Sequence, residues 1–238
     1  MVEFYQKLEG AKFKYSFWDI IELVFGSLSW DLIKIKSIGV NPVDTYIRNG
    51  IHAVKPELPY TPGYDAAGVI EVIGGDVSHH KVGQRVYLSG SLTGCYAEYA
   101  LCNEDQVHLL PDQITFGQGA AIGIPYATAY FALMFRAHMI PGETILIHGA
   151  SGAVGVAAIQ LARAAGLRVI ATAGSNVGLN LIKEVGAHEV LDGVDSLRYD
   201  HMLQFHHMER FMTDWQRAQC SATQYSAHDT QYTIHYTT

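Results

Sequence analysis

Cysteine is nearly absent: of 238 residues only Cys95, Cys102 and Cys220 carry a thiol. Three scattered sulfurs are too few for a disulfide framework and lack the paired spacing of a thiolate zinc site, so a reducing compartment is expected. Positive charge is scarce as well. Lys and Arg total 16 against 23 Asp and Glu, a formal charge of −7 with a pI near 5.9, and phosphate affinity driven by electrostatics needs clustered cations. Long apolar runs are also missing. The nearest approach, residues 17–28, is interrupted by Asp19 and Glu22 and is too short to span a bilayer. It reads as neither signal peptide nor membrane anchor; Glu3 and Glu9 argue against a mitochondrial presequence, and a soluble, cytoplasmic protein is expected. Residues 199–238 contain no Gly or Pro and only Leu203 and Ile234 as branched aliphatic residues. Weak order is expected there, with one helix around residues 203–217. His201, His206 and His207 lack a carboxylate or cysteine partner at ligand spacing and read as a solvated polar face rather than a metal site.

Apolar residues are abundant, at 49% hydrophobic against 16% charged. That buries a sizeable core over a length suited to one large domain or two modest ones. Residues 1–30 are aromatic and charged without a clear period. From residue 32 onward, β-branched runs ended by Gly and Pro follow one another (LIKIKSIGVNP, GVIEVIG, GQRVYLSG), the marks of strands and turns in a β-rich lobe. A helix-compatible, Ala/Gly-rich stretch over residues 114–142 then leads into a changed rhythm. ETILIH (143–148) is an apolar β run, GASGAVG (149–155) a glycine loop, and VAAIQLARAAG a helix that stops at Gly166. LRVIAT is a second strand, residues 177–185 a second helix and residues 187–191 a third, short strand. This βαβαβ order is half of a dinucleotide-binding sheet.

The glycine loop is the strongest chemical signal. After a buried parallel strand the chain must turn sharply, bring backbone close to a diphosphate and aim helix N–H groups at negative charge, and Gly149, Gly152 and Gly155 permit these steps. The spacing is GxxGxxG rather than GxGxxG, and a tight turn with close helix–strand packing is the structural alternative. The flanking βαβαβ pattern favours dinucleotide binding. NAD sites place a carboxylate at the end of the second strand for the ribose 2′-OH; here that strand ends in Ala171-Thr172-Ala173-Gly174-Ser175-Asn176, a small polar loop that admits a 2′-phosphate and favours NADPH. Lys183, the nearest downstream cation, reads as a solvated helix residue.

Several longer motifs agree in order between residues 32 and 192: NPVDTYIR, LPYTPGYDAAGV, GCYAEYAL, QGAAIGIPY, TAY and HGASG followed by VG. They resemble the zinc-free branch of the medium-chain dehydrogenase/reductase superfamily, most closely the zeta-crystallin-like NADPH:quinone oxidoreductases. The resemblance implies an α/β protein with a β-rich GroES-like catalytic lobe over residues 31–125 and a partial Rossmann domain, the βαβαβ half only, over 126–198. Atypical segments flank them at 1–30 and 199–238. Zinc-dependent members carry Cys where this chain has Asn41 and His-Glu where it has Tyr64-Asp65; Asn and Tyr cannot replace a thiolate and an imidazole, so no metal is expected.

The resemblance further places Asn41, Tyr46, Thr128 and Tyr130 toward the nicotinamide, and Ser151, Gly152, Val154, Gly155, Gly174 and Ser175 toward the phosphates and ribose. Quinone reduction needs no protein nucleophile, since the cofactor supplies the electrons and the protein positions the ring. Tyr46 is assigned a hydrogen bond to a quinone oxygen, with a packing role near a turn as the alternative, and Asp44 a turn cap. His52 stands where relatives often have a second cleft Tyr, and its imidazole can still donate a hydrogen bond. Gly193 replaces an aromatic or imidazole side chain near the adenosine phosphate.

Family members run longer, and neither 1–30 nor 199–238 resembles their missing portions. The expectation is a chain truncated at both ends, with a bare edge on the first Rossmann strand, lowered dinucleotide affinity, hydride delivery lowered further, and no late strands through which family dimers pair into a homo-oligomer. Two other classes stand beside quinone reduction. One is a catalytically silent NADPH-binding or AU-rich RNA-binding fragment, since some relatives bind such RNA, although the acidic balance and the lack of an Arg/Lys stripe weigh against RNA. The other is an enone or enoyl reductase using the same cofactor.

Overall fold

A computed structural model of the chain describes residues 30–53, 55–192 and 234–237. These residues fall into two units, divided between Ile124 and Pro125.

The first unit is a five-stranded antiparallel sheet of β1 (Trp30–Gly39), β2 (Asp65–Ile73), β3 (Arg85–Ser89), β4 (Tyr99–Asn103) and β5 (Val107–Leu109), in the spatial order β4-β1-β2-β3-β5. Alternation along β1 explains its two apolar faces. Ile33 joins Ala66, Ile70, Val86, Leu88 and Ala100 in the main core, whereas its neighbours Trp30 and Leu32 pack with Tyr99 and Leu101 on the other side. The register shifts twice along β1, between Leu32 and Ile33 and between Ile35 and Ser37, and at the end Gly39 pairs with Asp65. A short helix α1 (Pro42–Arg48) follows. Asn41 enters it in an extended conformation, Pro42 supplies the fixed φ suited to a first turn, and the Asp44 carboxylate accepts from the Asn41 N–H at 2.9 Å. That contact gives Asp44 the capping role. Helices α2 (Phe116–Gly119) and α3 (Gly123–Tyr130) carry the chain toward the second unit.

The second unit alternates strand and helix. After a six-residue π-turn at Phe131–Arg136 come β6 (Thr144–Ile147), α4 (Ala153–Ala164), β7 (Arg168–Ala173), α5 (Asn176–Val185) and β8 (Glu189–Asp192). Strands β8, β7 and β6 are parallel neighbours in that order, as a βαβαβ chain with helical crossovers requires. The last five residues of β7 are buried, and the strand reads as a continuous apolar run rather than an alternation, as in other covered parallel sheets. Small residues bring α4 close to this sheet, with Ala157, Ala158, Ile159 and Ala162 buried against Ile145, Ile147, Val169 and Ala171. Ser175 caps the start of α5, and Gly186 ends it in the left-handed conformation at φ 111°.

One expectation is overturned here. The free side of β6 is not bare: β9 (Ile234–Thr237) pairs with it antiparallel, Thr144 opposite Thr237 and Ile147 opposite Ile234. The tail therefore contains a strand, made from the β-favouring residues Ile, Tyr and Thr. The helix expected at 203–217, the tail histidines, Cys220 and Gly193 lie outside the described residues.

Candidate functional site

The glycine loop leaves the end of β6 and is tied to β7 by one residue. Thr172 is buried; its carbonyl accepts from Ala150 N–H at 2.8 Å, and its hydroxyl lies 3.3 Å from both Gly149 N and His148 Nδ1. Gly149 makes the turn at φ 60°, a conformation that side chains disfavour. Gly155 has a different task. A Cβ there would meet the Ala150 backbone at 2.5–2.7 Å, so only glycine lets the first turn of α4 settle on the loop. Gly152 is the N-cap in ordinary extended backbone and has no side chain to offer. The first α4 hydrogen bond of the helical kind runs from Val156 N–H to the Gly152 carbonyl. The N–H groups of Ala153, Val154 and Gly155 therefore have no acceptor inside the helix, and they converge where a helix favours negative charge.

Helix α5 differs in having a capping side chain for one of these groups: Ser175 Oγ accepts from Gly178 N–H at 3.1 Å. A hydroxyl used as an acceptor still has its own proton to donate, which keeps Ser175 available to a phosphate. Gly174 beside it is exposed, and a Cβ there would meet open space. Val154 packs its side chain toward the core and offers a ligand only its main chain. Ser151 is half-buried with its side chain against Gly178, where a Cβ would lie 3.0 Å from the Ser151 oxygen. Lys183 sits in the last turn of α5, about 12 Å along the helix from Ser175 at 1.5 Å per residue. Thr128 and Tyr130 are both exposed on α3, two positions apart and so projecting from different sides. The Tyr130 ring stands edge-on to Phe135 at 6.1 Å.

In the first unit, Asn41, Tyr46 and His52 come from one helix and the loop after it. Asn41 is buried and its amide donates to Asp65 at 2.8 Å; Tyr46 and His52 are half-buried. Asp65 organises this corner. Its carboxylate also accepts from Ile124 N–H at 3.0 Å, and a side chain at Gly123 would collide with it. Burial pushes the Asp65 carboxyl above the usual range, and the nearby Asp44 adds to this, while the Asn41 and Ile124 hydrogen bonds oppose it. An acid whose folded-state pKa is raised holds its proton better when folded, so its contribution to stability is present below the unfolded value of 3.8 and is lost as pH rises through the folded one. Relative to an Asp65→Asn variant, the native chain should therefore lose stability as pH rises above that value, in urea melts taken at several pH values. A constant difference would contradict this assignment.

Buried thiols are silent beside these groups. Cys95 and Cys102 are free and buried, and burial raises both, Cys95 to about 11. Among the described residues no three His, Cys, Asp or Glu side chains cluster as a metal site, and no helix is long and apolar enough to cross a membrane.

Sequence reasoning missed Thr172, Gly178 and Asp65 as builders of these sites. A polar residue inside the run VIATA and a glycine inside the helical pattern NVGLN were the available signals.

An antiparallel GroES-like lobe followed by a glycine-loop parallel sheet defines the class of medium-chain dehydrogenases and reductases. The comparisons agree. Residues 29–112 match the Alcohol dehydrogenase GroES-like domain and residues 153–208 the Zinc-binding dehydrogenase domain. The chain is 56% identical over 161 residues to a quinone oxidoreductase of Sus scrofa and 54% identical over 161 residues to that of Homo sapiens, covering 68% of this chain and 49% of each relative. Among solved structures, the Escherichia coli quinone oxidoreductase complexed with NADPH aligns with a TM-score of 0.61 at 34% identity, covering 69% of this chain and 50% of that one. The two domain matches and these relatives support a zeta-crystallin-like member of the medium-chain dehydrogenase/reductase family, and the chain spans about half the length of the relatives it matches.

Proposed function

We propose that the chain binds NADPH and takes part in the reduction of quinones. The observation that carries this reading is the uncapped first turn of α4, held against the loop by Gly155, which presents the N–H groups of Ala153, Val154 and Gly155 to a diphosphate. The residues present fit the cofactor. Ser151, Gly152, Val154 and Gly155 hold the diphosphate, mainly through main chain; Gly174 and Ser175, which follow a strand that ends without a carboxylate of its own, admit the ribose 2′-phosphate. In the second unit Thr128 and Tyr130 are assigned to the nicotinamide end. In the first, Asn41 is assigned to the same end, with its amide fixed by Asp65, and Tyr46 and His52 to the quinone oxygens as hydrogen-bond donors. When bound, the nicotinamide supplies the reducing equivalents, as hydride or as single electrons. The quinone oxidoreductase identity of the relatives supports this substrate class, and the cofactor of the Escherichia coli structure supports NADPH.

Titration of the purified chain with NADPH and NADH, followed by cofactor fluorescence, tests the reading together with turnover of a quinone and of an enone. The expected result is saturable binding with NADPH preferred by about tenfold or more, the order of one lost charge-assisted hydrogen-bond set, and faster consumption with the quinone. Faster enone reduction would move the substrate class to enoyl reductases, and equal binding of NADH would remove the 2′-phosphate assignment. NADPH binding without turnover of either substrate would leave a silent binding protein. Binding of AU-rich RNA with a steep salt dependence would favour the RNA-binding reading instead.

A further inference from the structure

The glycine loop and the first turn of α5 meet at Gly178, three residues after the Ser175 cap. Gly178 is buried, and its φ lies outside the left-handed region, so its own backbone does not call for glycine. Inside a helix glycine is disfavoured against alanine. The reason for it lies in the neighbours: a Cβ at 178 would stand 3.0 Å from Ser151 Oγ, 3.1 Å from Ser151 Cβ and 3.0 Å from Ala173 Cβ. Two sides of this junction are fixed. Gly178 N–H donates to Ser175 Oγ at 3.1 Å and Leu179 N–H to the Ser175 carbonyl at 2.8 Å, which anchors the helix turn; Ala173, 2% exposed, is held in β7 between β6 and β8. Ser151 belongs to the loop and is half-buried, so it is the side that yields.

We propose that Gly178 is a positioning residue for the cofactor: by having no side chain it seats Ser151, and with it the part of the glycine loop that leads into α4, against α5. The inference deepens the NADPH reading and rests on it. Carbon atoms pack best at about 3.5–4.0 Å, so a methyl group at 178 moves Ser151 by roughly half an ångström. Ser151 directly precedes the N-cap Gly152, and the N–H groups of Ala153, Val154 and Gly155 follow at once, so a displaced Ser151 disturbs the groups assigned to the diphosphate. NADPH and NADH share that diphosphate. The penalty therefore falls on both cofactors alike, while the Ser175 hydroxyl, assigned to the 2′-phosphate, keeps its bond from the Gly178 N–H.

The native chain, Gly178→Ala, Ser151→Gly and the double variant are titrated with NADPH and NADH by cofactor fluorescence and unfolded in urea. Ser151→Gly removes both loop atoms that a methyl at 178 would crowd. The expected result is an affinity about fivefold lower or more for both cofactors in Gly178→Ala, with a urea midpoint that does not fall because the helix preference of alanine offsets the crowding. In the Ser151→Gly background the same substitution should change affinity less than about twofold. An equal loss in both backgrounds would put the contact at Ala173, a loss confined to NADPH would put it at Ser175, and native affinity in Gly178→Ala would show that the seat does not matter to binding; each overturns the proposal. Amide-resolved NMR without cofactor separates the two readings. Absence of NADPH binding in the native chain would overturn the NADPH reading and the cofactor role of Gly178 with it, whereas a Ser151 amide left unmoved by Gly178→Ala would overturn the seat itself.

Discussion

Gly155→Val abolishes NADPH binding. The glycine Cβ position lies 2.5 Å from Ala150 Cα and 2.7 Å from its carbonyl carbon and oxygen. These are backbone atoms, held in turn by the Ala150 N–H bond to Thr172, so neither partner has a flexible end that can yield. The helix must back away from the loop. Overpacking of this kind costs about 1–3 kcal/mol or more in stability, but the larger effect is on binding, because the N–H groups at the first turn of α4 lose the position from which they converge. Gly174→Ala is the control, since a Cβ there meets open space. Fluorescence titration should show no saturable NADPH binding for Gly155→Val, and urea unfolding should show near-native stability for Gly174→Ala. Native affinity in Gly155→Val would show that the diphosphate is held elsewhere.

The second large effect is expected at Asp65. This residue is 1% exposed and supplies the acceptor for both the Asn41 amide and the Ile124 N–H. Asp65→Ala strips both donors of their partner and opens a void beside Gly123, whose missing side chain already makes room for the carboxylate. Leaving buried donors unsatisfied costs about 1–3 kcal/mol each, so a loss of about 3 kcal/mol or more is expected in urea unfolding. Asp65→Asn, which keeps an oxygen at the site, should lose less. A loss below about 1 kcal/mol for the alanine variant would mean that Asn41 and Ile124 find other acceptors, and that Asp65 is not the tie of this corner.

Local chemistry was legible in the sequence wherever the residues that decide it are neighbours. The alternation of β6, α4, β7, α5 and β8 follows from periodicity and from the stop at Gly166, and a capping role for Asp44 follows from its residue type at a turn. The reason for each glycine was not. Gly149 is required by its own dihedral angle, Gly155 by a backbone five residues earlier, and Gly178 by Ser151, which only the packing of α5 brings near. Thr172 looked like one more residue of an apolar strand until β6 was laid beside β7. Strand β9 was invisible for the same reason on a longer scale. A four-residue run in a polar tail acquires its meaning from β6, nearly ninety positions upstream, and no local pattern encodes that pairing.

The central claim is that main-chain amides at the start of α4 grip a diphosphate. Amide-resolved NMR of the isotope-labelled chain during an NADPH titration tests it most directly. The account predicts that the Ala153, Val154 and Gly155 resonances shift most among the amides and saturate together. If those three stay in place while NADPH saturates the protein, the diphosphate is bound by other atoms and the account is wrong.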